Sequence, residues 1–476
     1  MGFCWSGECG CSGPCRAGHY VPCCTGWVGP TVLLCVYGFF SMMRPIEPFL
    51  TEFLTGTYKN LTTEQVTRQV FPVLTYSNVV LLVPVFLVTD LLRYKPVIVL
   101  QGLTYVATFL LLLVGSGVHS AQLALFIYSI AMAADVAYFS YIYTVVHASY
   151  YQRVTSYVRA AILLGYAVGG LLAQLLVSLG GVSLYCLAVI TLISVSAALI
   201  TTFFLPMPKT SLFLHGAYPA QQGSPPDEGG AHDSESQDFW VKSAAAAEHV
   251  GRMLTSVLVD CKKCYSSAAL LFFCIWAATG RCGFYQVTGY VQLLWVHIQP
   301  HNFTAYNGGV DAIGTLSGAA ATVAVGHVSL EWSVWAELIL GGFTLLIAGA
   351  LFLMDLTDNI WISYACCVLF KTLYMQLATV CTFQIAKALN RRRYALVFGV
   401  NSFAGAVLQS VLTAVVINTR SLQLTITSQF FIYASYFAAL SLLFTVRGVH
   451  TVLRAKWPAA GDRAGGSPDL PDGPRL

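Results

Sequence analysis

The stretch QLALFIYSIAMAADVAYFSYIYTVV, residues 122–146, is long enough to cross a hydrocarbon core as a helix and carries one formal charge, Asp135. A carboxylate at that depth costs a few kcal/mol on insertion scales, so it marks a functional position by default. Tyr138 follows one helical turn later on the same face, and Phe139, Tyr141 and Tyr143 crowd the same region. An acid beside aromatic rings inside a membrane is suited to holding a cation away from water.

The rest of the chain places that segment in context. It is 57% hydrophobic and 10% charged, against about 25% charged for an ordinary soluble domain. Apolar runs of about 20 residues recur along it, which predicts an all-α polytopic membrane protein. Twelve candidate spans can be counted. The first six are Pro30–Leu54, Phe71–Thr89, Val97–Gly115, Gln122–Val146, Val158–Leu179 and Val182–Leu205. Six more lie near 269–296, 307–328, 334–354, 360–386, 395–417 and 426–446. Between the two sets the composition turns to Pro, Gly, Ser and charge, including GSPPDEGG at 223–230, too polar to fold alone. The expected organisation is a Cys-rich tail (1–27), a six-helix half (28–205), a linker (206–267), a second six-helix half (268–447) and a tail (448–476).

Lys and Arg set the orientation. With both termini in the cytoplasm, Arg93, Lys95, Arg153, Arg159, Lys262, Lys263 and Arg391 to Arg393 all fall inside, whereas Lys59, Arg68 and Arg420 fall outside. The same topology puts the glycosylation sequons at Asn60 and Asn302 in extracellular loops. No phosphate loop, metal-ligand cluster or nucleophile–base pair stands out, so the expectation is a carrier without a cofactor, driven by existing gradients. Its partners would be a small-molecule substrate, the lipid bilayer and protons if an acid couples transport to pH, with no nucleic acid. The six cysteines before residue 25 lack paired metal-ligand spacing, and a cytoplasmic tail disfavours disulfides.

Six spans, a long cytoplasmic linker and six more resemble the major facilitator layout, in which two halves rock about a site near the midplane. The loop TDLLRYK at 89–95 resembles the acid-and-base gate cluster of that fold, which implies gating roles for Asp90 and Arg93; anchoring of the helix ends is the competing reading.

Four segments carry a closer resemblance: FFSMMRPIEPFL at 39–50, Thr89-Asp90 with RYKP at 93–96, YNGGV at 306–310 and YALVFGVN at 394–401. They are similar to the signatures of the folate and thiamine carrier family, from about Val28 to Arg447 with the linker omitted. The resemblance implies a plasma-membrane vitamin importer. It also implies that the Asp135 position is basic in folate carriers and acidic, usually Glu, in thiamine carriers. Where folate carriers place a Lys in the eleventh span, this chain has Gln409. Lys371 does not discriminate, because both types carry a basic residue there. Against the thiamine pattern, Leu74 and Phe109 stand where tryptophans are expected, Gly289 replaces an Asn before Tyr290, and Arg281 replaces a small polar residue. By the resemblance, Glu47 contacts substrate or a coupling proton.

The residues themselves leave alternatives open. Arg44 and Glu47 lie three apart on one helix face, between prolines that break the backbone ladder, and suit either a mutually neutralised pair or a site acid. Asp135 could meet a cationic substrate, pair with Arg281 or Lys371 across helices, or face a solvated cavity. Tyr138 could line that cavity or fill the core. Asn307 and Asp311 open the eighth span, as site groups or as caps of the helix start. Tyr374, Gln384 and Asn401 read as interhelical hydrogen-bond partners. At the level of function, a thiamine importer competes with a folate-type organic-anion carrier, for which Arg281 would be the anion's partner, and with a non-transporting sensor of the same shape.

Overall fold

In a computed structural model, the described residues are 27–92, 94–146, 150–207, 265, 267–299, 305–327, 332–388, 391–418 and 424–456. The N-terminal tail before Trp27, the C-terminal tail beyond Lys456, nearly all of the linker, Arg93 and Asn302 lie outside them, as does the side chain of Asp90, and the last helix runs past the expected end of the second half to Lys456. Among the described residues every regular element is helical. The first half comprises α1 (Val28–Met42), the short α2 (Leu50–Thr55), α3 (Phe71–Leu91), α4 (Lys95–Val114), α5 (Gly117–Val145), α6 (Tyr151–Ser178) and α7 (Leu184–Phe203). The second comprises α8 (Ala268–Ile298), α9 (Asn307–His327), α10 (Trp332–Leu356), α11 (Ile360–Ala388), α12 (Arg391–Thr413) and α13 (Ile426–Lys456).

Among the described residues, ten helices are long and apolar enough to cross a membrane. The two further stretches counted as spans from sequence are α1 with α2, which is interrupted, and α9, which opens on a polar turn containing Asn307 and Asp311. The interruption in the first stretch has a local cause. Pro45 disfavours helical backbone at Arg44, and neither Pro45 nor Pro48 can donate to the ladder. The chain passes through a 3-10 turn at Glu47–Phe49 before helix resumes at Leu50. Unpaired backbone at membrane depth must find partners within the protein. Here α7 supplies them. The Ile46 amide donates to Thr191 Oγ1 at 3.2 Å, and Ser194 Oγ donates to the Phe40 carbonyl at 2.7 Å. On the other side Gly169 lets α6 close on the break, since a Cβ there would lie 3.0 Å from the Arg44 amide nitrogen.

Within the first half α1 packs on α6 and α7, α3 and α4 pack on α5, and α4 packs on α7. Its apolar interior divides in two. One cluster holds Phe49, Tyr105 and Ala131, and the other holds Tyr37, Ile98, Ala134 and Tyr138. Arg44 and Gln101 fall between these two sets along the chain, and Asp135 sits beside Ala134 where the sets adjoin, so that the three form a polar layer across the half. The second half has a single large cluster, from Leu270 to Phe444, built mainly by α8, α10, α11 and α13, with Val310 of α9 and Val397 of α12.

The halves meet through α6 with α9 and α3 with α12. At the first contact Gly170 faces Gly308, with 2.8 Å between a Cβ built on Gly170 and the Gly308 carbonyl oxygen. Gln174 clasps the same junction, accepting from the Gly309 amide at 3.1 Å and donating to the Ala305 carbonyl at 3.1 Å. Gln292 of α8 reaches the turn after α1, donating to the Glu47 carbonyl at 2.9 Å and accepting from the Thr51 amide at 3.2 Å. At the second contact Ser410 Oγ donates to the Thr75 carbonyl at 3.4 Å. These links gather at the end of the molecule that carries Asn60, which is exposed there in a left-handed backbone conformation at φ 52°. Lys59 beside it donates to the carbonyls of Leu113 and Gly115 at the end of α4, and partial burial pulls its ammonium below the usual lysine value.

Candidate substrate-binding site

The polar layer of the first half is built around Arg44, whose side chain is held at the helix break. Its guanidinium pairs with Glu47 at 2.8 Å and donates to the hydroxyls of Tyr128 at 2.6 Å and Tyr166 at 3.2 Å. The rings of Tyr105, Tyr128 and Tyr166 stand 5.1, 5.4 and 5.7 Å from it. Tyr128 in turn donates to Glu47 Oε1 at 2.9 Å. Arg44 is 3% exposed, so a charge this deep is tolerable only because it is paired and hydrogen-bonded. Of the two readings of Arg44 and Glu47, the structure shows the neutralised pair.

Asp135 is held differently. Its Oδ1 accepts from Gln101 Nε2 at 2.6 Å, and Gln101 Oε1 accepts from the Tyr37 hydroxyl at 2.7 Å. Gln101 Nε2 also reaches the Ala131 carbonyl at 3.1 Å, one turn before the acid. Tyr37 and Gln101 are buried, whereas Asp135 keeps part of its surface open. Among the described residues no cation lies within ion-pair distance of it. The carboxylate is thus oriented by one neutral donor and left with its charge available.

In the second half, Arg281 on α8 lies half-buried over the face of Tyr285, 5.1 Å from the ring centroid. Phe284 beside it stacks on Tyr374 of α11 at 4.0 Å and an interplanar angle of 13°. Among the described residues Asp135 and Arg281 form no ion pair. The alternative in which Asp135 pairs with Arg281 or Lys371 is therefore not realised here. Lys371 pairs instead with Asp311 of α9.

Other sequence candidates are more embedded. Tyr138 is 2% exposed and donates to the Leu34 carbonyl at 2.8 Å, which makes it a brace between α5 and α1 inside the core rather than a ring facing open space. Asn307 Oδ1 accepts from the Tyr364 hydroxyl at 3.0 Å, a tie between α9 and α11. Gln409 is half-buried on α12, next to the Ser410 that links the halves. Phe109 is buried in the first-half core, Leu74 packs against it, and the position of a Cβ on Gly289 meets open space. Asn401 accepts from the hydroxyl of Tyr265, a turn residue before α8, at 2.9 Å, while Gln384 Nε2 is buried without an acceptor among the described residues.

A family model described as the reduced folate carrier matches residues 25–432. The chain belongs to the reduced folate carrier family. This carrier is 46% identical to human Thiamine transporter 1 over 451 residues, covering 90% of this chain and 91% of that one. Human Thiamine transporter 2 is 43% identical, with 91% and 92% covered. Human Reduced folate transporter is 38% identical, with 88% of this chain and 71% of that one covered. Among solved structures the carrier resembles a POT family transporter at TM-score 0.61 and 10% identity, covering 89% of this chain and 96% of that one. It also resembles a bacterial homologue of the lysosomal transporter Spinster at TM-score 0.56 and 11% identity, with 91% and 99% covered. At such identities the likeness concerns the fold alone, which is that of the major facilitators. Like its relatives, this protein is a membrane carrier for a vitamin and not an enzyme.

Several residues that shape the carrier's site were not singled out from sequence. Tyr128 lies seven residues before Asp135, two helical turns along the same face, and that spacing could have flagged it. Gln101 and Tyr105 share a face of α4 by the same rule. Tyr166 and Tyr285 carry no such signal, because their role depends on which helices meet.

Proposed function

We propose that this carrier imports thiamine across the plasma membrane by alternating access, with Asp135 as the partner of the cation. The observation that carries the reading is the Asp135 carboxylate, which is oriented by Gln101 and has no cation beside it among the described residues. A thiazolium ring would gain both a counter-charge and neighbouring aromatic faces there. The relatives named thiamine transporters, more similar here than the folate transporter, support the same substrate.

On this reading both termini are cytoplasmic, and the end bearing Asn60 and Asn302 faces outward and is glycosylated. The interrupted first helix and α9 are the spans that complete twelve. The links through Gly308, Gln174 and Gln292 then make this the state closed to the outside. Asp90 and Arg93 form the gate on the inner side. Glu47, already neutralised by Arg44, supports the site together with Asn307, Gln409 and Lys371, Tyr138 braces the helix that carries Asp135, and a proton taken up by an acid of the site couples movement to pH.

The second reading, a folate-type anion carrier, is favoured by one observation: Arg281 has no carboxylate partner among the described residues. Uptake of labelled thiamine and labelled reduced folate by cells expressing the full chain separates the two. Thiamine uptake that is saturable and lost in Asp135→Asn supports the proposal. Folate uptake that survives Asp135→Asn and vanishes in Arg281→Ser would sink it.

A further inference from the structure

The turn that breaks the first helix is held from both halves, in different ways. Within the turn, the Glu47 amide donates to the Arg44 carbonyl at 3.1 Å, the Phe49 amide to the Ile46 carbonyl at 3.0 Å, and the Leu50 amide to the Glu47 carbonyl. Each bond spans three residues, the 3-10 pattern, in which side chains three apart stand over one another. That winding sets Glu47 over Arg44, where one carboxylate oxygen meets the guanidinium at 2.8 Å and the Tyr128 hydroxyl at 2.9 Å. Thr191 of the same half fixes the start of the turn at Ile46.

The end of the turn is held by the other half. Gln292 of α8 donates to the Glu47 carbonyl at 2.9 Å and accepts from the Thr51 amide at 3.2 Å. These backbone groups lie four residues apart, and an unbroken α-helix would join them to each other. A side-chain amide of the second half thus stands in for one rung of the first helix's ladder. Its surroundings oppose the contact. The Thr51 hydroxyl is buried with no hydrogen-bond partner among the described residues. So is that of Tyr290, whose ring stands edge-on to Phe71 of α3 at 5.9 Å. Dehydrating two hydroxyls without partners disfavours closure, and the two bonds of Gln292 offset that cost.

One amide therefore both latches the halves and shapes the turn. When the outer side opens, Gln292 leaves with its half and Thr191 stays. The Glu47 carbonyl and the Thr51 amide are then free to bond directly. The turn relaxes towards α winding, which swings residues three apart out of register by about 60°. We propose that Gln292 is a positioning residue that acts through Glu47. With the outer side shut it holds the acid over Arg44, and with the outer side open it lets the acid turn towards the substrate's cation. The outward-facing carrier then offers a cation more counter-charge than the inward-facing one, which favours loading outside and release inside. This inference rests on the orientation and the cation reading proposed above.

Coupling of this kind is reciprocal, so loosening Glu47 must also loosen the outer closure. The test is labelling of Ala305→Cys, buried at the junction, by an impermeant thiol reagent added outside intact cells, with the exposed Cys186 replaced by Ser. Gln292→Leu and Glu47→Gln are each expected to speed labelling about fivefold or more, and the double variant should be no faster than the faster single one. A mere latch at Gln292 would leave labelling unmoved by Glu47→Gln, since that side chain meets Arg44 and Tyr128 of its own half. If Glu47→Gln fails to reach the surface, Tyr128→Phe, which removes one hold on the same oxygen, takes its place. Labelling unchanged in Gln292→Leu, or single effects that multiply in the double variant, overturns the proposal. With labelled thiamine, Gln292→Leu should lower the KM for entry severalfold and slow turnover, and the KM change should vanish in the Glu47→Gln background. A KM that ignores Gln292 while labelling follows it overturns the part given to Glu47. Absence of thiamine uptake in the wild type overturns the substrate reading, and labelling, which needs no substrate, still decides the coupling.

Discussion

Replacing Asp135 by Asn keeps the volume and the acceptor for Gln101 and removes only the charge. If the carboxylate meets the cation, thiamine uptake falls at least tenfold in Asp135→Asn at equal surface expression, measured with labelled substrate. Uptake that persists would show that the acid serves the fold. Gln101→Leu probes the support behind it. That change leaves the buried Tyr37 hydroxyl without its acceptor and Asp135 without its donor. Orphaned polar groups cost about 1–3 kcal/mol each, so the unfolding temperature in detergent should drop. A positioning role also raises the KM for thiamine, which a purely structural role would not move. Asp135 was legible in the sequence because a lone carboxylate in an apolar run is expensive wherever the helix packs. Gln101 was not, because an amide among apolar residues acquires meaning only when the neighbouring helix is known. Tyr138 shows the reverse error. Its spacing places it on the acid's face, yet the hydroxyl finds the Leu34 carbonyl and the ring is enclosed by α1.

The first helix shows what an element gains from being broken. Pro45 and Pro48 announce the interruption in the sequence, and the i to i+3 spacing of Arg44 and Glu47 announces their pairing. The compensation comes from α7, through a threonine that no local pattern distinguishes. Thr191→Val preserves shape and deletes the oxygen that receives the Ile46 amide. The expected outcome is a loss of about 1–3 kcal/mol, the range for an unsatisfied buried donor, read as a lowered unfolding temperature of the purified carrier. An unchanged temperature would mean that the Ile46 amide has another acceptor. The consequence reaches the site, because the break fixes where the Arg44 backbone emerges and so where the guanidinium meets Tyr128 and Tyr166. Transport should therefore weaken along with stability, even though Thr191 lies behind the turn.

For the whole molecule, composition and the repeated apolar runs were enough to foresee a helical membrane protein in two halves. The junction between the halves was beyond sequence reasoning, since glycines in a helix read as weak points until another backbone is found against them. Gly308 is such a case. A Cβ there would crowd the Gln174 amide nitrogen at 3.2 Å and the Phe49 ring at 3.3 Å, besides meeting the Gly170 carbonyl. Bulk at this position cannot be absorbed by a flexible side chain end, because backbone of α6 stands in the way. Gly308→Val should thus prise α6 from α9 and disfavour the closed arrangement at the Asn60 end, while each half keeps its own core. The measurement is the labelling of a cysteine introduced at Ala305, with the exposed Cys186 replaced by Ser, by a membrane-impermeant thiol reagent added outside intact cells. With Gly308 intact that position is buried at the junction, its backbone carbonyl held by Gln174, and should react slowly. Faster labelling in Gly308→Val, together with reduced thiamine turnover at normal surface expression, is the expected pair of results. Equal labelling rates would show that the α6–α9 contact does not control access from that side, and closure would then have to be assigned to α3 and α12.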